Sequence, residues 1–198
     1  PDSKGVIETL LELKSKRTDT IFLRGNHEDM FLNFLGYHGY HGEMHAYNGG
    51  DILYKEYNVP DNYYKRNYRG ECWKTCDVEE LRRCFTKSHI DFLLETKYAF
   101  ETPHFIFVHA GIDPKVKKIS EQYDYDLLWI REGFIGRKHD IQKLVVHGHT
   151  MVKEVYLNYP YEMNIDTGAA ARNKMSAVLL CHDDSGFSYT VFEERIHI

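Results

Sequence analysis

The sequence predicts an α/β protein in which strands and helices pack in layers. Three short apolar runs, residues 20–23, 105–108 and 144–146, have the length and composition of buried strands. Each ends in a polar turn that carries glycine with histidine or asparagine. Between and around them lie segments whose apolar residues recur at helical spacing, an alternation that belongs to layered α/β architectures.

In chain order, Pro1-Asp2-Ser3 reads as the end of a turn, with Ser3 placed to N-cap a helix that carries Val6, Ile7, Leu10, Leu11 and Leu13. A start this abrupt leads us to expect further chain upstream. Residues 20–23 read as a strand running into Arg24-Gly25-Asn26-His27-Glu28, with an apolar helix next through Met30, Phe31, Phe34 and Leu35. Residues 36–98 change in composition. Eight of the fifteen tyrosines fall between Tyr37 and Tyr68, together with His38, His41 and His45. The helical pattern returns from Val78, Leu81, Cys84 and Phe85 to Ile90, Phe92, Leu93 and Leu94. We read 36–98 as an inserted, largely helical cap on a single domain spanning 1–198, against the plainer reading of a surface excursion with aromatic packing. Beyond it, 105–108 is a strand, 126–131 a short helix and 144–146 a buried strand. Residues 152–157, 163–165, 177–181 and 187–192 are further strands, the last two joined in a hairpin by Asp183-Asp184-Ser185-Gly186.

Composition limits the function classes. The chain has 198 residues, 25 basic and 30 acidic, for a net charge of −5. That balance argues against broad binding to nucleic acid or anionic membranes, while leaving room for a local phosphate pocket. No apolar run approaches the roughly 18 residues of a membrane span, and no secretory leader is visible. A cytoplasmic protein is the expectation. Four cysteines are present, three of them (Cys72, Cys76, Cys84) in one short segment. Reduced thiols are the plain reading. A zinc site built from these three and His89, which lacks the paired C-x₂-C spacing, and a single disulfide are the alternatives.

The chemistry is concentrated where the apolar strands end. Ligands of layered α/β proteins gather at the carboxyl ends of strands. Asn26, His109 and His149 stand at such ends and are positioned to converge. An amide oxygen and two neutral imidazoles suit Mn²⁺, Fe or Zn²⁺, and are too rich in nitrogen for a calcium cage. His27 directly succeeds Asn26, so its side chain points elsewhere, as a general acid beside the metal would. Any one strand-end histidine is more often a packed or solvated residue; the weight lies in the joint occurrence of the three motifs.

Arg24-Gly25-Asn26-His27-Glu28, Val108-His109-Ala110-Gly111 and Val146-His147-Gly148-His149-Thr150 together resemble the calcineurin-like metallophosphoesterases, in particular the bacterial, lambda-phosphatase-like branch of the phosphoprotein phosphatases. Asn48-Gly49-Gly50, Leu127-Leu128-Trp129-Ile130-Arg131-Glu132 and Asn164-Ile165-Asp166-Thr167-Gly168 add to the resemblance, which covers nearly the whole chain. It implies an α/β/β/α sandwich with two mixed sheets and two divalent metal ions, manganese first, with iron or zinc as alternatives. It further implies Asn26, His109 and His149 as metal ligands, His27 as general acid and Arg131 as the phosphate-gripping side chain, a role suited to a planar fork of donors. Arg24 reads as structural. His147 is either a supporting or an ordinary packed residue. Asp166 is either a supporting residue beside the ligands or a strand-end cap. Glu28 and Asp29 favour the start of the helix they open.

Two upstream motifs of that family, Gly-Asp-x-His-Gly and Gly-Asp-x-x-Asp-Arg-Gly, do not occur in the chain. They would supply the other ligands of the first metal, the bridging carboxylate, the acidic partner of the general-acid histidine and a second phosphate-binding arginine. Pro1-Asp2-Ser3 resembles the residues immediately after the second motif, so the resemblance implies a beginning just past it. The expected activity is metal-assisted phosphomonoester hydrolysis, with phosphoserine and phosphothreonine proteins as leading substrates. A symmetrical dinucleoside polyphosphate hydrolase is the alternative, on His109-Ala110-Gly111-Ile112 with Pro114. A non-catalytic remnant that binds phosphate or a partner, and an ordinary α/β domain with structural histidines, are the other readings.

Overall fold

A computed structural model describes residues 2–69 and 72–195. The chain divides into two compact units, Pro1–Lys97 and Tyr98–Ile198.

The first unit is mainly helical. Helix α1 (Ser3–Lys16) is N-capped by Asp2, whose Oδ1 accepts from the Gly5 amide at 2.9 Å. The expected cap, Ser3, is instead the first helical residue, and its amide and that of Lys4 donate to Glu56. A carboxylate one position earlier reaches the free amides of the first turn better than the serine does. Residues 20–23 do not form the expected strand. They make one bridge, Leu23 to Lys97, with Lys97 N donating to Phe22 O and Arg24 N to Lys97 O. Strand character needs a ladder, and among the described residues Lys97 alone pairs with this segment.

Helix α2 (Asn26–Phe34) comes next; Glu28 reaches back to accept from the Gly25 amide at 2.9 Å and closes its first turn. A 3₁₀ turn (Gly42–Met44) and a π-helical turn (Ala46–Gly50) lead to α3 (Asp51–Glu56). A short antiparallel pair, β1 (Tyr64–Arg66) and β2 (Cys72–Lys74), precedes α4 (Val78–Arg83) and α5 (Lys87–Glu95). The core is aromatic. Phe34 stacks on Tyr54 at 5.0 Å, and Phe31 meets Phe85 edge-on at 4.9 Å. Tyr54 and Tyr57 are buried in this core, whereas Tyr47 and Tyr68 are exposed, so the tyrosine-rich segment serves packing and surface alike. Two buried imidazole–phenol bonds, His45 Nδ1 to Tyr54 Oη (2.9 Å) and Tyr57 Oη to His89 Nδ1 (2.5 Å), satisfy the polar tips inside it. His89 is thus engaged away from the cysteines. Cys76 and Cys84 are free thiols with side-chain bonds to the Tyr63 and Glu80 carbonyls, while the Cys72 side chain lies outside what is described.

The second unit holds a five-stranded mixed sheet of order β3-β4-β5-β7-β6. Its strands are β3 (Ala99–Glu101), β4 (Phe105–Val108), β5 (Leu144–His147), β6 (Tyr156–Asn158) and β7 (Glu162–Asn164). Strands β4, β5 and β7 run parallel, and β3 and β6 close the edges antiparallel. Helix α6 (Asp124–Trp129) contributes Leu127 to one face, where Ile106, Val108, Val145, Ile112 and Phe134 are buried. On the other face Leu144, Val146 and Met163 pack with Val178, Leu180 and Phe187 of the hairpin β8 (Lys174–Asp183) and β9 (Gly186–Arg195). A short α7 (Ala169–Arg172) precedes the hairpin. The layering is α/β/β, in keeping with the expected fold class. The second sheet, expected to be mixed, is an antiparallel pair among the described residues. The strand expected over 152–157 is reduced to β6, because Val152 N and O are taken by Asp166 O and the Arg172 side chain.

Burial pushes the His45 imidazole down to about 3, with the positive field of His27 acting the same way. The unfolded chain takes up that proton near pH 6.5 and the fold does not, so stability falls as pH drops from about 6.5 towards 3. The slope is about 1.4 kcal/mol per pH unit. A His45→Gln variant is expected to flatten the dependence by that amount between pH 6 and 4, measured by urea unfolding; an unchanged slope would refute the assignment.

Candidate active site

The parallel register of β4 and β5 builds the centre of the site. Ile106 pairs with Val145 and Phe107 with Val146, so the segments leaving the two strands emerge side by side. Gly148 N donates to His109 O at 2.8 Å across them. The imidazoles beyond the strand ends come together, with His109 Nε2 3.1 Å from His149 Nδ1 and ring centroids 5.0 Å apart.

His149 sits at φ +64°, in the left-handed region. That conformation is unfavourable for a non-glycine residue, and the surrounding bonds hold it there. Thr150 N donates to Gly148 O, Asn164 Nδ2 donates to Thr150 O at 2.8 Å, and Asn164 Oδ1 accepts from Asp166 N. Asp166 Oδ1 in turn accepts from Gly168 N, and Asp166 O from Val152 N. Asp166 therefore shapes the turn after β7 and backs the histidine loop, with its Cβ 3.3 Å from where a side chain on Gly148 would begin.

Arg131 lies just beyond α6, after Ile130 leaves helical geometry. Its Nη1 donates to His149 O at 3.2 Å and to Thr150 Oγ1 at 3.1 Å. The guanidinium is thus fastened to the same loop that carries the histidine. Trp129 meets the His149 ring edge-on at 6.0 Å. Gly111 (φ +153°) lets Phe134 close in, since a Cβ there would lie 2.4 Å from the Phe134 ring. The His109 turn and the Arg131 turn therefore pack against each other directly.

His147 is fully buried, edge-on to Phe134, with Nε2 3.7 Å from Glu162 Oε2. Burial pushes His147 down to about 4 and Glu162 up from the ordinary carboxylate range. Desolvation disfavours charge on both, so at neutral pH His147 is an uncharged imidazole beneath the loop. Glu162 also accepts from Gly136 N at 2.9 Å.

In the first unit Asn26 is the buried opening residue of α2, and His27, one position on, is exposed. Successive helical residues point about 100° apart, which separates the two side chains as the sequence implies. Arg24 is buried. It donates through Nη2 to Leu93 O and Leu94 O and through Nε to Thr96 Oγ1, closing the C-terminal end of α5, and lies 3.7 Å from Asp29. Asp29 Oδ2 accepts from Tyr40 N.

Among the described residues no group of three His, Cys, Asp or Glu side chains is arranged to hold an ion. The pair His109 and His149 does fit one. Metal–nitrogen bonds are about 2.1 Å long, and nitrogens 3.1 Å apart are spaced as neighbouring ligands of a single ion. The sequence alone does not single out Thr150, Trp129 or Glu162 as site residues. Thr150 stands next to a named ligand position, which is the available signal; Glu162 carries none.

The sequence matches the calcineurin-like phosphoesterase family over residues 1–183. The chain belongs to that family, whose members are metal-dependent phosphoester hydrolases. No curated protein matches it at a significant level. No helix among the described residues is long and apolar enough to cross a membrane.

The strain at residue 149 is testable. His149→Gly and His149→Ala both remove the imidazole, but alanine keeps the cost of a left-handed backbone. The glycine variant is expected to be more stable by about 1 kcal/mol in denaturant unfolding, and equal stabilities would show that the loop relaxes freely.

Proposed function

We propose that this protein is a metal-dependent phosphomonoesterase acting on phosphoserine and phosphothreonine in proteins, of the lambda-phosphatase-like branch. The observation that carries the reading is the meeting of His109 and His149 beyond two parallel strands, with Arg131 fastened to the His149 loop from the end of α6. His109 and His149 would hold a divalent ion, manganese first from the family resemblance with iron or zinc as alternatives that the same donors suit, and Asn26 would contribute an amide oxygen. When bound, the metal supplies Lewis acidity to the phosphoryl oxygens and a nucleophilic water at neutral pH.

The chain's own residues do the rest. Arg131 holds the phosphoryl group, with its Nη1 tied back to Thr150 and His149 so that little freedom is lost on binding. His27, exposed at the start of α2, delivers a proton to the departing serine or threonine oxygen. His147 stays neutral and buried, and Asn164 and Asp166 keep the His149 loop in its left-handed turn.

The test is hydrolysis of p-nitrophenyl phosphate and of a phosphoserine peptide with and without manganese. Activity is expected to require the metal and to be lost in His149→Ala. His27→Ala should lower kcat by about 100-fold for the peptide, the scale of general acid catalysis. Full turnover in either variant would overturn the assignment of that residue, and release of ADP from diadenosine tetraphosphate with no phosphate released from the peptide would overturn the substrate class.

A further inference from the structure

Arg131 is one end of a tight turn whose other end is also an arginine. Phe134 N and Ile135 N both donate to Arg131 O at 2.9 Å, and Arg137 N donates to Phe134 O at 2.8 Å. Phe134 is fully buried, and Gly136 at φ +71° lets the chain turn back. Beneath the turn the buried Glu162 carboxylate accepts from Gly136 N, which pins residue 136 to β7. The separation of the two arginines is therefore set by a hydrogen-bonded, core-anchored segment and not by a loose loop.

Both arginines line one open cleft of about 500 Å³, together with Thr150, Glu132, Ile135 and Gly136. Among the described residues Arg131 is engaged by protein acceptors through Nη1 alone, and the Arg137 guanidinium forms neither an ion pair nor a hydrogen bond. Glu132 is the one carboxylate on the wall, so the cleft carries a net positive charge in a chain whose overall charge is −5. A cation whose backbone is fixed relative to that of the phosphate-gripping arginine, and which has no counter-ion among the described residues, is placed to meet a second anion on the same ligand.

We propose that Arg137 is a specificity-determining residue. It forms a second anion subsite that takes a phosphate neighbouring the one held by Arg131. Doubly phosphorylated peptides and polyphosphate chains both present that chemistry. The proposal rests on Arg131 holding the scissile phosphate, as in the reading above, but it concerns binding and is tested without turnover.

Calorimetric titration of the protein at low salt in metal-free buffer compares phosphate with tripolyphosphate, and a singly with a doubly phosphorylated serine peptide. The doubly anionic ligand of at least one pair is expected to bind about tenfold more tightly, the scale of one charge-assisted contact. Arg137→Gln should reduce that advantage to under twofold without changing affinity for the single-phosphate ligand, and Arg137→Lys should restore most of it. An advantage in the peptide pair alone points to phosphoproteins as the source of the second anion, and one in the tripolyphosphate pair alone points to polyphosphate. Equal affinities within both pairs, no detectable binding of either doubly anionic ligand, or an advantage that survives Arg137→Gln would overturn the proposal. A protein that hydrolyses nothing yet shows the Arg137-dependent preference would refute the catalytic reading alone.

Discussion

The parallel pairing of β4 with β5 is the constraint on which the histidine pair depends. Two parallel strands in register deliver the turns that follow them to the same end of the sheet, and here those turns carry His109 and His149. An antiparallel pairing would have sent one of them to the opposite end. Parallel strands need covered faces, because their crossover connections place other elements over both sides. The α6 layer and the β8–β9 hairpin provide that cover, and the leucines and valines they pack against the sheet are therefore part of what holds two imidazoles 3.1 Å apart.

Around that pair the hydrogen bonds go to fixing backbone shape. The left-handed His149, the Asn164 amide on Thr150 O, the Asp166 turn and the Arg131 anchor form one connected set. Removing Asn164 would leave the Thr150 carbonyl and the Asp166 amide without their partners in part-buried bonds, which costs more than the bonds themselves contribute. The geometry is over-determined in this way before any ligand arrives, as electrostatic catalysis requires of groups that must not reorganise during the reaction.

The parts of this arrangement legible in the sequence are those that depend on local pattern. The apolar runs of β4 and β5, the periodicity of α2, α4 and α5 and the turn of the β8–β9 hairpin each announce themselves within a short stretch of chain. Residues 20–23 carry the same apolar pattern and do not form a strand, since a ladder depends on a partner that no local pattern specifies. The exchange of Ser3 for Asp2 as helix cap has the same origin: both residues can cap, and the geometry of the turn decides. Thr150 and Glu162 lie further out of reach. A threonine after a histidine and a glutamate in a strand are ordinary features until the fold brings Arg131 and Gly136 against them.

Glu162 also explains why the fold keeps a buried carboxyl where an apolar side chain would cost less to desolvate. Burial raises its proton affinity and lowers that of His147 beside it, so the imidazole is uncharged at neutral pH and the two do not form a buried ion pair. In return one oxygen fixes Gly136, and with it the turn that carries Arg131 and Arg137. A hydrophobic replacement could fill the volume, but it would leave the Gly136 amide without an acceptor and the turn free to shift. The carboxyl is better understood as the device that holds the arginine turn in register with the histidine loop than as a contributor to stability.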